Sequence, residues 1–285
     1  MEMGVFSFNT EYSIRADELA VAAEERGFDS VWFPEHTHIP ASRKTPYPAG
    51  GDLPKEYIHM SDPFISCGVA AAVTTKLIVG TGVSLIPQHE PLALAKTVAT
   101  LDRLSNGRFQ LGIGSGWNQD EMENHGVVYE ERWKVVLEHL GAMKALWTEE
   151  DASYHGNYVN FDKVWSYPKP ATQPHPPVIM GAFASKFGIN RAAKHADGWI
   201  PINALHQNMP ADIAMLQDKL REYGRDPDTF TISIFDIEST SEQDIRKFAD
   251  IGGITRVIPR CPTEDKDTVL RWLDKYAEIN RRVNQ

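Results

Sequence analysis

Along the chain, short β-prone runs alternate with longer stretches whose apolar residues recur every three to four positions. The first run, Val5 to Phe8, precedes an amphipathic stretch from Asp17 to Arg26 that stops at Gly27, a residue suited to the position after a helix. A second run, Ser30-Val31-Trp32-Phe33, leads into a Pro/Gly-rich segment from Pro34 to Pro63, and Phe64 to Val73 reads as the second helix. Leu77 to Val83 reads as a buried strand, and Pro91 to Leu104 as a helix with proline near its start. The turn residues Ser105-Asn106-Gly107 open onto a strand from Phe109 to Ile113. A helix from Glu130 to Trp147 follows, with Trp133, Val136, Leu137, Leu140 and Met143 on one stripe. Thr148 to Pro177, rich in aromatic residues, Pro and Gly, reads as an irregular excursion with short strands. Alternation resumes with the strand Val178 to Met180, a helix over Lys186 to His195, and the strand Trp199 to Pro201. A helix over Ala211 to Tyr223, a strand from Thr229 to Phe235 and a helix over Ser241 to Ile251 come next. The strand Ile254 to Ile258 and a last helix over Thr268 to Asn280 complete the pattern.

About eight strands, each followed by a helix or a long loop, are the signature of a parallel α/β fold. In a chain of 285 residues they predict one closed (β/α)8 barrel over positions 1–285, with an excursion after the fourth βα unit. The 29 Lys and Arg against 39 Asp and Glu give a net charge of −10, with no clustered basic face, which argues against nucleic acid. A content of 42% hydrophobic and 24% charged residues is that of a soluble chain able to bury a large core. No run reaches the roughly 18 apolar residues of a membrane span, and the first residues do not read as a signal peptide. Cys67 and Cys261 form neither a metal nor a disulfide spacing, so a reducing, cytoplasmic setting is expected.

In a barrel of this kind chemistry sits where strands end. At one such end, His36 and His38 share a face of an extended segment, but no third ligand is spaced to make a metal site. Glu35 and His36 are instead candidates to orient or deprotonate a ligand, since a histidine titrates near neutrality. Gly112-Ile113-Gly114-Ser115-Gly116 lacks the third glycine and distant acid of a dinucleotide fingerprint. It reads either as a tight turn or as a place where a planar ligand nears the backbone, with Trp117 as pocket wall or core. Gly80 and Gly82 read as a kink in the wall or as room for a cofactor ring. Gly181 to Ser185, ahead of Lys186, reads as an anion site at a helix start or as an N-cap.

Taken together, several segments resemble one family. They are Pro34-Glu35-His36-Thr37-His38-Ile39-Pro40, Tyr47 to Pro54, Asp62-Pro63-Phe64, Gly80-Thr81-Gly82-Val83, and Ala95-Lys96 to Gly107-Arg108. Gly112 to Trp117 with Glu121, and Ala196-Asp197-Gly198-Trp199, extend the series. In this order they resemble the bacterial luciferase-like monooxygenases, in their coenzyme F420-dependent oxidoreductase branch. The resemblance implies a TIM barrel of the bacterial luciferase type that holds F420, or alternatively FMN, in its C-terminal mouth. It implies a non-prolyl cis bond at Gly82–Val83 behind the central ring, with Ser84 and Trp117 beside it. It places the phosphate site at Gly181, Ala182, Ser185 and Gly198, and the catalytic pair at His36 and Glu35.

Where sugar-phosphate dehydrogenase relatives carry a glutamate proton donor, this chain has Trp117, so half of that acid–base pair is missing. The reactive cysteine of the luciferases has no counterpart at Cys67 or Cys261. The activity so implied is hydride transfer between the deazaflavin and a small organic substrate. The alternatives are an FMN-dependent monooxygenase fed by a separate reductase, and a barrel that binds cofactor without turnover. A homodimer is also implied. The segment from Thr37 to Met60, with Arg43, Lys44 and Tyr47, is either a lid or a dimer surface.

Overall fold

The computed structural model describes residues 1–203, 208–239 and 241–285. Its first half runs β1 (Glu2–Phe6), α1 (Ala16–Glu25), β2 (Ser30–Phe33), α2 (Pro63–Val73), β3 (Ile78–Thr81), α3 (Pro91–Leu104), β4 (Phe109–Ile113), α4 (Gln119–Asn124) and α5 (Arg132–Thr148). Then come β5 (Ala152–His155), β6 (Asn160–Val164), β7 (Val178–Met180), α6 (Lys186–His195) and β8 (Gly198–Trp199). The chain closes with α7 (Met209–Glu222), β9 (Thr231–Asp236), α8 (Glu242–Ile251), β10 (Arg256–Pro259) and α9 (Lys266–Val283). Eight of these strands form a closed barrel in the order β1-β2-β3-β4-β7-β8-β9-β10, every pair parallel. β5 and β6 pair with each other, antiparallel, between α5 and β7. Three hydrogen bonds to Glu138 of α5, from the backbone N–H groups of Asn157, Tyr158 and Val159, hold that hairpin to the barrel.

Successive residues of a strand face opposite sides, so each barrel strand feeds two cores. Val5, Val31, Val79, Leu111, Val178, Ile232 and Val257 pack outward against the helices. Phe6, Phe8, Trp32, Ile179, Ile200, Phe235 and Ile258 form the inner core. Trp32 is the largest inward side chain, and Gly80 on the neighbouring strand makes room for it: a Cβ there would lie 2.6 Å from the indole. Below Trp32 the barrel floor is polar. The Trp32 indole N–H donates to Ser30 Oγ at 2.9 Å, and Arg256 reaches Asp29 at 2.5 Å.

Several boundaries differ from the sequence pattern; two of them, and one added helix, have a reason of pairing or length. β1 begins at Glu2 rather than Val5, because its ladder to β10 starts at the pair Glu2–Arg256. β8 is centred on Gly198–Trp199 and not on Trp199–Pro201. α4 lies in a stretch to which the pattern assigned no element, being too short to show a helical period. Its start is nonetheless written in the chain: Asn118 caps it, with its side chain accepting from the Glu121 N–H.

The long connection from β2 to α2 lies over the C-terminal end of the barrel. Asp120 in α4 clamps it, accepting from the backbone N–H groups of Lys44 and Thr45 and from the Thr45 hydroxyl. These hydrogen bonds, the Thr45 hydroxyl's first, hold the Asp120 carboxyl down to about 2. A turn at Lys55–Ile58 and the Ser61 N–H, donating to Asn9 at 2.7 Å, fasten the other end. The connection therefore covers the barrel mouth as a lid would, and the dimer-surface reading stands beside it untested in a single chain.

Two outcomes follow from this packing. Gly80→Ala drives a methyl into Trp32 and destabilises the barrel by about 1–3 kcal/mol, read as a lower urea midpoint at unchanged slope. Asp120→Asn weakens the clamp, so tryptic cleavage after Arg43 or Lys44 quickens several-fold in the folded protein. A lowered carboxylate pKa keeps its contribution above the ordinary value near 3.8 and loses it only as pH falls through about 2. The ratio of cleavage rates is therefore expected to be flat across pH 6–8.

Candidate active site at the barrel mouth

Two consecutive residues at the end of β2 point to opposite sides and organise the mouth. Glu35 is buried, and its Oε2 accepts from Ser84 Oγ at 2.8 Å and from the Leu85 N–H at 2.6 Å. Its Oε1 lies 2.8 Å from His89 Nε2. Burial opposes ionisation of Glu35, but the hydrogen bond and charge of His89, with those from Leu85 and Ser84, outweigh it and hold the carboxyl below its ordinary range. Burial likewise works against a charged His89, yet Glu35 raises its pKa overall. The two form an ion pair behind the wall.

His36 faces the other way. Its Nδ1 lies 2.6 Å from Glu121 Oε2, and its Nε2 accepts from the Trp117 indole N–H at 3.2 Å. An indole N–H only donates, so Nε2 carries the lone pair and Nδ1 the proton, which Glu121 accepts. The second oxygen of Glu121 takes the Thr37 N–H at 3.1 Å, so this fully buried carboxylate is satisfied by the chain it orients. Around His36 stands a row of rings: Trp117 at 5.5 Å between centroids, Tyr57 at 5.6 Å, and Phe8 a further 5.1 Å from Tyr57. Tyr47 of the lid closes the box at 5.3 Å from Tyr57. Burial, then the Tyr47 hydroxyl beside it, push the Tyr57 phenol far above its ordinary value, so it stays neutral.

The remaining expected residues fall into place unequally. Gly82–Val83 is a cis bond, and the Val83 side chain fills the space left by Gly114 and Gly181, where added Cβ atoms would lie 2.7 and 2.9 Å from its methyls. Ser84 is buried against Glu35. The Ala182 carbonyl accepts from the Trp199 indole at 2.9 Å, and Ser185 caps α6 by accepting from the Gly188 N–H. Gly198 stands apart: it sits deeper in the wall, beside Ile179 and Thr231, where a Cβ would meet Thr231 Oγ1 at 2.2 Å.

Two glycine readings resolve toward packing. Gly112 makes way for the Thr81 carbonyl and Gly80 for Trp32, while Gly116, at φ +78°, serves a turn. His38 pairs with Thr37 and Asn124, and among the described residues no cluster of three His, Cys, Asp or Glu could hold a metal. Burial pushes both thiols up, Cys261 to about 11, which keeps them protonated.

The sequence pattern did not identify His89, Tyr57 or the role of Glu121. Only Glu121 carried a signal, as the acidic residue three places after the N-cap Asn118. In the fold its carboxylate turns from the helix start to His36.

Comparison with known proteins identifies the family and the fold. An uncharacterised protein of Mycobacterium tuberculosis is 37% identical over 280 residues, covering 97% of this chain and 98% of its own. An F420-dependent glucose-6-phosphate dehydrogenase of Nakamurella multipartita is 32% identical over 215 residues, 73% of this chain and 58% of that protein. In fold the chain is similar to a monooxygenase of Streptomyces bottropensis, at a TM-score of 0.82 and 19% identity over 100% of both chains. Residues 1–244 match the luciferase-like monooxygenases, and the chain belongs to that family of oxidoreductases.

Proposed function

We propose that the protein is an F420-dependent oxidoreductase that transfers a hydride between the deazaflavin and a small organic substrate. The observation that carries this reading is the His36–Glu121 pair, a base with its lone pair in the aromatic box and its other nitrogen fixed by a buried carboxylate. The F420-dependent relative at 32% identity supports the same cofactor.

The donor set suits a planar group that bears phosphate. Lys186 and Phe187 begin α6, where the first N–H groups have no intrahelical acceptor and face an anion favourably. Phe183 and Phe187 beside them are 63% and 74% exposed, an apolar surface adjoining those donors. When bound, the deazaflavin supplies a two-electron hydride carrier.

The chain's own residues manage the proton. In the oxidising direction a substrate hydroxyl replaces the Trp117 indole N–H at His36 Nε2. As the carbinol C–H bond gives up its hydride, the hydroxyl proton passes to Nε2, and the resulting imidazolium stays on Glu121 through Nδ1–H. The aromatic rings exclude water around His36. Glu35, with both oxygens engaged, holds the Ser84–His89 stretch in place rather than touching substrate.

His36→Ala is expected to lower kcat by about 10²–10⁴-fold while leaving the cofactor Kd within about threefold. Glu121→Gln lowers kcat less, again at nearly constant Kd. Equal activity of the His36 variant in stopped-flow assays of deazaflavin reduction refutes the base assignment. Titration of ligand-free protein by tryptophan fluorescence decides the cofactor. Tighter binding of F420 than FMN is the expected outcome. Preference for FMN with oxygen uptake points to monooxygenation instead, and tight binding without turnover to a non-catalytic barrel.

A further inference from the structure

We propose that Glu56, carried by the lid, occupies the anion subsite of the mouth, so that the enzyme takes uncharged substrates and rejects phosphorylated or carboxylated ones. That the subsite serves substrate rests on the hydride-transfer reading; that Glu56 fills it does not.

Arg260 follows β10, the last strand of the barrel. Its backbone is fixed on both sides, bridging to Phe6 and donating its N–H to the Asp236 carbonyl at 2.9 Å. The guanidinium lies 4.8 Å from the Phe8 ring centroid, and Phe8, Tyr57 and His36 follow as one row of rings. Arg260 therefore stands at the far end of the box that holds the base. The ends of the last two strands are where barrels commonly bind an anionic group. The donors proposed for the cofactor's phosphate belong instead to α6, after the fifth barrel strand.

The charge of Arg260 is already met. Glu56, one residue before Tyr57 on the lid turn, pairs with its guanidinium. The Glu56 side chain is 14% exposed and that of Arg260 33%, so the carboxylate is the more enclosed partner. A guanidinium presents the same planar fork of donors to a carboxylate as to a phosphate, so Glu56 stands where a substrate anion would bind. Both charges lie close enough to the Tyr57 phenol to act on it, Arg260 favouring and Glu56 opposing its ionisation. An anion entering the box must expel Glu56 or lie beside it, and either exacts a repulsion that a neutral alcohol or ketone escapes.

The test is calorimetric titration of inorganic phosphate into cofactor-free wild type, Glu56→Gln and the double variant Glu56→Gln/Arg260→Gln. Glu56→Gln is expected to bind phosphate roughly tenfold or more tightly than wild type, and the double variant to lose that gain. Phosphate held at the start of α6 is common to all three and cancels. Equal affinity of wild type and Glu56→Gln overturns the proposal, as does a gain that survives loss of Arg260. Glu56→Ala carries the same expectation should the Gln variant fail to fold. Because no cofactor is present, failure of the deazaflavin to bind in its own titration is a separate result.

Discussion

The carboxylate of Glu35 is the fixed point to which the mouth is referred. A buried carboxylate is tolerated only with partners, and all three of its partners come from the single stretch Ser84–His89. That stretch cannot shift without stranding a buried charge, a loss of about 3–5 kcal/mol when one member of such a pair is removed. Val83 is held in consequence, and its methyls lie against Gly114 and Gly181 at the ends of β4 and β7. One ion pair thus sets the relative positions of four strand ends. From Gly181 the chain passes directly into the loop that starts α6, so the proposed phosphate donors inherit their placement from the same source.

The neighbouring position, His36, is placed quite differently. Just past the end of β2 it turns away from Glu35, into the box of rings and toward α4. There the carboxylate of Glu121 is fully buried yet spends both oxygens on the 36–37 backbone and side chain. The low dielectric of such a site strengthens the Nδ1–H contact and fixes the tautomer, which an exposed histidine would not keep. The two glutamates are alike in burial and differ in what they hold, one a stretch of wall and the other the imidazole of His36.

The barrel was legible because its strands are short apolar runs separated by helices of clear period, a pattern local to each segment. The site was legible only in part. His36 and Glu35 lay at a strand end, where a barrel puts chemistry, but the partner of His36 is 85 residues further on and in a helix too short to show a period. The glycines left two readings open for a related reason. Gly80 and Gly112 read in sequence as a kink or turn or as room for a ligand, and the space is taken by Trp32 and by the Thr81 carbonyl, neighbours that only strand pairing reveals. The Glu56–Arg260 contact spans 204 residues and has no local signature at all.

Those long-range contacts have a common destination. The lid is fastened at one end by Asp120, one residue before Glu121, and at the other by Arg260, which follows β10 and bridges to Phe6. It delivers Tyr47 and Tyr57 to the box, where the His36 side chain is only 5% exposed. Tyr47, Tyr57 and Glu56 thus sit on one connection, so two walls of the box and the carboxylate facing Arg260 are placed together. In the proposed reading, the connection that encloses His36 also neutralises Arg260, so selection for a neutral substrate and enclosure of the proposed base depend on one segment of chain.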